Sequence, residues 1–244
     1  MQQSSNPALQ EKNIKRLSNT FDATRTMTIS GTITKIAFLL AIVSLVGAWS
    51  WSYTNNNIDS AGLLTFGASI AGFVVAMIII FKSPNPFLIM IYTALQGVVI
   101  GSISFLFGQE FQGIVAQAIL FTISITLGML FLFATRLVTV TQKLRSMILI
   151  ATVGVALFYF ISFIISIFSQ SFSDFVNSGT SGIFIGLVIV FIASLNLLLD
   201  FDFIEKGTEK KLPKQFEWYG AFGIMVTLIW LYFSILRLLA ASRR

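Results

Sequence analysis

The stretch SGIFIGLVIVFIASLNLLLDFDFIEKG, residues 181–207, decides the fold. Positions 181–199 carry no charged residue at all. A helix needs about 20 apolar residues to cross a bilayer, whereas a membrane β-strand needs about 10 that alternate in polarity. The run is too long and too uniform for the strand. In hydrocarbon a helix also satisfies every backbone group within itself. The stretch then ends on three acids, Asp200, Asp202 and Glu205. Carboxylates are expensive in a bilayer, so the same residues pose the question of fold and that of function.

The composition around this stretch agrees with a membrane setting. Of 244 residues, 56% are hydrophobic and 11% charged, with a mean hydropathy of +0.87. A soluble domain carries roughly 25% charged residues. There is no Cys, which excludes disulfides, thiolate nucleophiles and Cys-based metal sites. There is no His either, which removes the usual zinc ligand and the commonest general base. The net charge of +6 is placed as a membrane protein places it, so nucleic acid is not an expected partner and the lipid bilayer is.

Six further segments match the first in length and polarity. The expected spans are 33–53, 61–81, 86–107, 113–134, 146–168, 181–201 and 218–240. The expectation is an all-α membrane protein, a seven-transmembrane-helix domain over 32–244. It is preceded by a polar cytoplasmic tail, 1–31, that is partly disordered. The connectors are short and polar: TNNNIDS (54–60), KSPN (82–85), GQEFQ (108–112) and SDFVNSGT (173–180). Lys12, Lys15, Arg16, Arg25, Lys35, Lys82, Arg136, Lys143, Arg145, Lys206, Lys210, Lys211 and Lys214 all fall on one side of this arrangement. The opposite connectors hold only Asp59, Glu110 and Asp174. The positive-inside rule therefore puts the N-terminus in the cytoplasm. Arg237, Arg243 and Arg244 oppose it, and a last helix that stopped short of crossing would remove the conflict.

At about 100° per residue, Asn196 and Asp200 stack on one helix face. Asp202 points roughly opposite, with Glu205 one turn along its own face. Asp200 is the ion-pathway candidate, because an ionisable residue within a span marks an ion path or proton relay by default. Asn196, Gln96 near the middle of the third span and Thr227 near the middle of the seventh are further pathway candidates. Asp202, Glu205 and Glu217 are candidates for the cytoplasmic mouth, the first two facing the lysine-rich loop. Small residues four apart, Ala68/Gly72, Gly97/Gly101 and Gly182/Gly186, are expected to let helices approach closely. Trp218 and Tyr219 suit an interfacial aromatic belt.

The segments NPAL (6–9), MTISGTITK (27–35), YTALQGVVIGSIS (92–104), GIVAQAILFT (113–122), LNLLLDFDFIEKG (195–207) and EWYGAFGIMVTLIWLY (217–232) resemble the Bax inhibitor-1 family, in particular its bacterial YccA-like branch. The resemblance implies a seven-helix bundle with a central C-terminal helix. It also implies calcium leak across a membrane, sensitive to pH, a role in stress protection, and residence in a bacterial inner membrane. In relatives an Asp on the sixth helix pairs with an Asp on the seventh. Asp200 matches the first; the second falls at Thr227. Gln96 and Ser234 are also neutral where the branch usually holds Glu, so three places where a relative holds a carboxylate are neutral here.

Two functions follow as expectations. One is a calcium or other cation leak channel with Asp200 at the cytoplasmic constriction, where a lone carboxylate gives a weak transit site and no firm metal site. The other is a non-conducting regulator that binds a membrane protease or another membrane protein in stress protection. No enzyme is expected: without His there is no Ser-His or metal-His site, and Asp200 and Asp202 diverge too far for an aspartyl dyad. No cofactor is implied, and the seventh span has no Lys for a retinal Schiff base.

Overall fold

The computed structural model describes residues 26–82, 85–168, 176 and 179–243. The first 25 residues of the expected tail, Pro84, Arg244 and most of the 173–180 connector lie outside these. Among the described residues the structure is all-helical: α1 (Ile29–Asn56), α2 (Ile58–Phe81), α3 (Pro86–Glu110), α4 (Ile114–Ala134), α5 (Gln142–Phe168), α6 (Gly179–Glu209) and α7 (Phe216–Ala241). All seven are long and apolar enough to cross a membrane, and they fit a seven-span helical membrane protein. Large side chains such as Leu45, Leu63 and Phe163 are more than two-thirds exposed. A soluble protein rarely leaves so many in contact with solvent, whereas lipid accepts them.

Burial is uneven. In α7, 61% of the most apolar stretch is buried; in α3 and α6 it is 44%, and in the other four helices 17%. The last helix therefore has the most protein around it. It is 26 residues long, about 39 Å at 1.5 Å per residue, ample for a crossing. Just beyond it, Arg243 donates to the Gln112 carbonyl (2.9 Å) and to Gln117 Oε1 (2.7 Å). That ties the end of α7 to the 108–112 connector. A last helix that stops short is thus disfavoured, and Arg243 is accommodated by two neutral acceptors.

The expected sixth span ends at 201, yet α6 continues to Glu209. Nothing in DFIEKGTE breaks a helix except Gly207, and that glycine faces protein: Met27 Sδ lies 2.8 Å from where its Cβ would be. At 31 residues, about 46 Å, α6 exceeds the roughly 30 Å of hydrocarbon. Its acids therefore sit on regular helix.

The chain divides into two compact units. One holds the described residues up to Phe105 with Phe203–Met225; the other holds Leu106–Asp202 with the described residues from Val226 onward. In the first, α1 and α3 touch backbone to backbone at Gly47, Gly97 and Gly101. A Cβ on Gly101 would overlap the Gly47 carbonyl oxygen, and one on Gly97 would lie 2.8 Å from Val46 Cβ. Beside this crossing, Ser50 Oγ donates to the Val98 carbonyl (2.8 Å) and shares a hydrogen bond with Ser102 (2.9 Å), to which Thr54 also donates (3.0 Å). All three hydroxyls are buried and partnered. In the second unit Gly186 meets Leu238 of α7 in the same manner, at 3.1 Å from a notional Cβ.

Candidate functional site

Asp202 and Glu217 are buried and Asp200 partly buried, and each of the three has a different partner. Glu217, in the first turn of α7, is fully buried. Its Oε1 accepts from the Thr28 backbone N–H and hydroxyl, both at 3.0 Å, and its Oε2 pairs with Lys35. The carboxylate fills the space that a Cβ on Gly31 would occupy. Thr28 is also the N-cap of α1, accepting from Gly31 N–H at 3.0 Å. The Glu217 charge therefore sits against a helix N-terminus, where the dipole favours an anion. Lys35 lies over the Trp218 ring at 5.4 Å, and Phe38 meets the same ring edge-on.

Residues 26–28 continue this contact as a strap. Thr26 bridges Pro213, and Met27 N–H donates to the Leu212 carbonyl (2.7 Å). The Met27 side chain, 1% exposed, packs against Gly207 and Gly220. Glu217, a candidate for the cytoplasmic mouth, is enclosed by the first turns of α1, because Thr28, Lys35 and the missing Gly31 side chain make a fitted anion pocket there.

Asp202 is 4% exposed and pairs with Arg145 in the first turn of α5. A buried carboxylate requires a partner, and Arg145 of α5 is one. Glu205 is half-buried, close to the end of α6.

Asp200 accepts a hydrogen bond of 2.6 Å from the Thr227 hydroxyl of α7. Thr227 is buried and Asp200 partly so. Among the described residues no Lys or Arg pairs with Asp200, in contrast to Glu217 and Asp202. Asn196, expected to share the surroundings of Asp200, donates to Thr152 Oγ1 of α5 (2.8 Å) and to the carbonyl of Ile192 (2.9 Å). The 40° offset between the two positions on the helix suffices to aim them at different neighbours. Gln96 lies half-buried on α3, its Nε2 3.2 Å from a notional Cβ on Gly72 of α2.

Reading the sequence for spans passed over Thr28, Gly31, Lys35 and Arg145. Their signals were present but local: a Thr-x-x-Gly start to α1, a Lys one turn later, and an Arg in the first turn of α5. Among the described residues no group of three or more acids, His or Cys is placed to hold a metal. A cation meeting Asp200 would find one carboxylate, a hydroxyl and neutral neighbours. Calcium prefers six to eight oxygens, several of them charged, which is more than these groups supply.

No curated protein sequence matches the chain. The family model for Bax inhibitor 1 like proteins matches residues 6–244, nearly the whole length. With seven long apolar helices, a match of that extent identifies an integral membrane protein, and the chain belongs to the Bax inhibitor 1 like family.

Proposed function

We propose that this protein is a cation leak channel, with Asp200 as the transit carboxylate at its cytoplasmic constriction and calcium as the implied ion. One observation carries the reading: unlike the buried Asp202 and Glu217, which pair with Arg145 and Lys35, Asp200 has a neutral hydroxyl as its partner. A carboxylate in a low-dielectric setting needs a counter-charge or a proton. Where the protein fixes no cation beside it, a mobile one can serve. A single carboxylate binds weakly enough for the ion to leave again, which conduction requires. The reading includes the YccA-like branch, a bacterial inner membrane, a cytoplasmic N-terminus, and no catalytic step.

The test is calcium flux into liposomes carrying the purified chain. Wild type is expected to leak, Asp200→Asn to leak at least tenfold less, and Thr227→Val to change the rate while still conducting. Absence of wild-type flux at every pH from about 6 to 8 would sink the proposal.

A second reading is a non-conducting regulator in stress protection, which binds a membrane protease or another membrane protein. The strap favours it. Residues 26–28 are held by the Leu212 carbonyl and Glu217, so a partner gripping the N-terminal segment would pull directly on α7. Co-purification of crosslinked partners with and without residues 1–25 discriminates. An unchanged partner set rules out the N-terminal handle.

A further inference from the structure

The turn between α6 and α7 is built with unusual care around three lysines. Helix α6 ends in a paired cap: Lys211 N–H donates to the Thr208 carbonyl (3.0 Å) and Leu212 N–H to the Gly207 carbonyl (3.0 Å). This is the Schellman arrangement, in which the residue after the cap is left-handed and usually glycine. Here that residue is Lys211, at φ 51°. Leu212 supplies the accompanying apolar contact, its Cδ1 3.4 Å from a notional Gly207 Cβ. The turn is then fixed from outside by the strap, through Met27 N–H to the Leu212 carbonyl and the Thr26–Pro213 bridge. Phe216 N–H to the Pro213 carbonyl and Glu217 N–H to the Lys214 carbonyl start α7.

With Leu212 buried and Pro213 clamped, Lys210, Lys211 and Lys214 are left exposed. Among the described residues none of the three is in an ion pair. Positions 206–214 contain four Lys and one acid, the exposed Glu209, a net +3. A cation near a helix C-terminus is favoured by the dipole, and Lys206 and Lys210 already satisfy that. The dipole does not explain why a left-handed position, which glycine takes freely, is given to a lysine. A left-handed residue that is not glycine is a recognised mark of a functional constraint. The only other one among the described residues is also basic, Arg136, just after α4. Both helices joined by the 210–215 turn are long enough to span, and Trp218, a residue type enriched at membrane interfaces, follows three residues on, so the turn is on the membrane-surface side of both helices.

We propose that the turn Lys210–Lys214 is a docking surface for the anionic headgroups of membrane phospholipids, with Lys210, Lys211 and Lys214 as a pre-shaped cationic triad. Pre-shaping matters because three free lysine loops would lose entropy on binding, and this backbone is already fixed. Each lysine near a charged leaflet should contribute about fivefold, the equivalent of about 1 kcal/mol.

The test uses the full chain in a neutral detergent, titrated with phosphatidylglycerol or phosphatidylcholine, with bound lipids counted by native mass spectrometry. Wild type is expected to retain phosphatidylglycerol in preference to phosphatidylcholine. The variant Lys210→Gln, Lys211→Gln, Lys214→Gln should lose that preference by on the order of a hundredfold, from three lysines at about fivefold each. Lys211→Gly guards against misfolding, since glycine suits the left-handed position. It should lose about fivefold in phosphatidylglycerol retention while its melting temperature holds or rises. Equal retention of both lipids by wild type overturns the proposal. So does unchanged retention by the triple variant or by Lys211→Gly. Displacement of phosphatidylglycerol by inorganic phosphate at equal concentration also overturns it, by making the turn a site for free anions.

Discussion

Gly31→Ala should destabilise the protein although alanine is the better helix former. The Glu217 carboxylate occupies the position of the new methyl group, and Oε1, Oε2 and Cδ all crowd it. To admit the methyl, Glu217 must leave its two Thr28 donors and Lys35, or the first turn of α1 must move away from α7. Depriving a buried ion pair of one partner costs about 3–5 kcal/mol. Exchanging glycine for alanine within a helix returns roughly 1 kcal/mol. The net expectation is a loss of about 2–4 kcal/mol. For a chain of this size each kcal/mol corresponds to about 2–4 °C, so the melting temperature should fall by roughly 4–16 °C. Unfolding can be followed by tryptophan fluorescence, since Trp218 adjoins the cluster. The decisive comparison places the same substitution in a Glu217→Ala background, where the space is empty. There Gly31→Ala should be neutral or stabilising by up to about 1 kcal/mol. An equal fall in both backgrounds, or no fall in the wild type, would refute the claim that the glycine exists to admit the carboxylate.

Arg145→Met alone should cost about 2 kcal/mol by removing a cationic partner of the buried Asp202, less than for a fully enclosed pair because Arg145 remains partly exposed. The double change Arg145→Met, Asp202→Leu should recover most of that in the same melt, since an apolar pair removes both desolvation costs. Gly101→Ala should cost about 2–3 kcal/mol, because its methyl would overlap the Gly47 backbone and neither helix can yield without the other. Gly128→Ala, with nothing within 4 Å of the new atom, should be neutral or stabilising by up to about 1 kcal/mol.

The helices were legible because hydrocarbon imposes a crude requirement, about 20 uncharged residues, which a sequence displays directly. The helix α6 runs eight residues past the expected span for the same reason. Hydropathy marks where lipid stops, whereas a helix stops where capping stops it, here at Lys211. Thr227 was located opposite Asp200 by comparison with relatives, and the 2.6 Å contact stands at that position. The partners of Glu217 and Asp202 were not legible. They are 182 and 57 residues away in sequence, and pairings at that separation depend on which helix faces meet. The one local hint, Thr28 followed three residues later by Gly31, reads as an ordinary helix start. Only the structure reveals that the glycine is a vacancy filled by a carboxylate from α7.

The three carboxylates also differ in what holds them. Glu217 and Asp202 each have a cation as a partner, Lys35 and Arg145, and Glu217 also accepts from two neutral donors of Thr28. Asp200 is held by a hydroxyl donor, and a carboxyl group retains an acceptor oxygen whether or not it carries a proton. The α6–α7 contact at Thr227 therefore survives a change in the charge of Asp200. A second carboxyl in place of Thr227 could donate only when one of the pair was protonated, which would make the same contact conditional on pH. By placing threonine there, this chain separates the mechanical link between the two helices from the charge state of Asp200, beside which no described Lys or Arg is placed. Neutralisation of Asp200 would then leave its link to α7 in place.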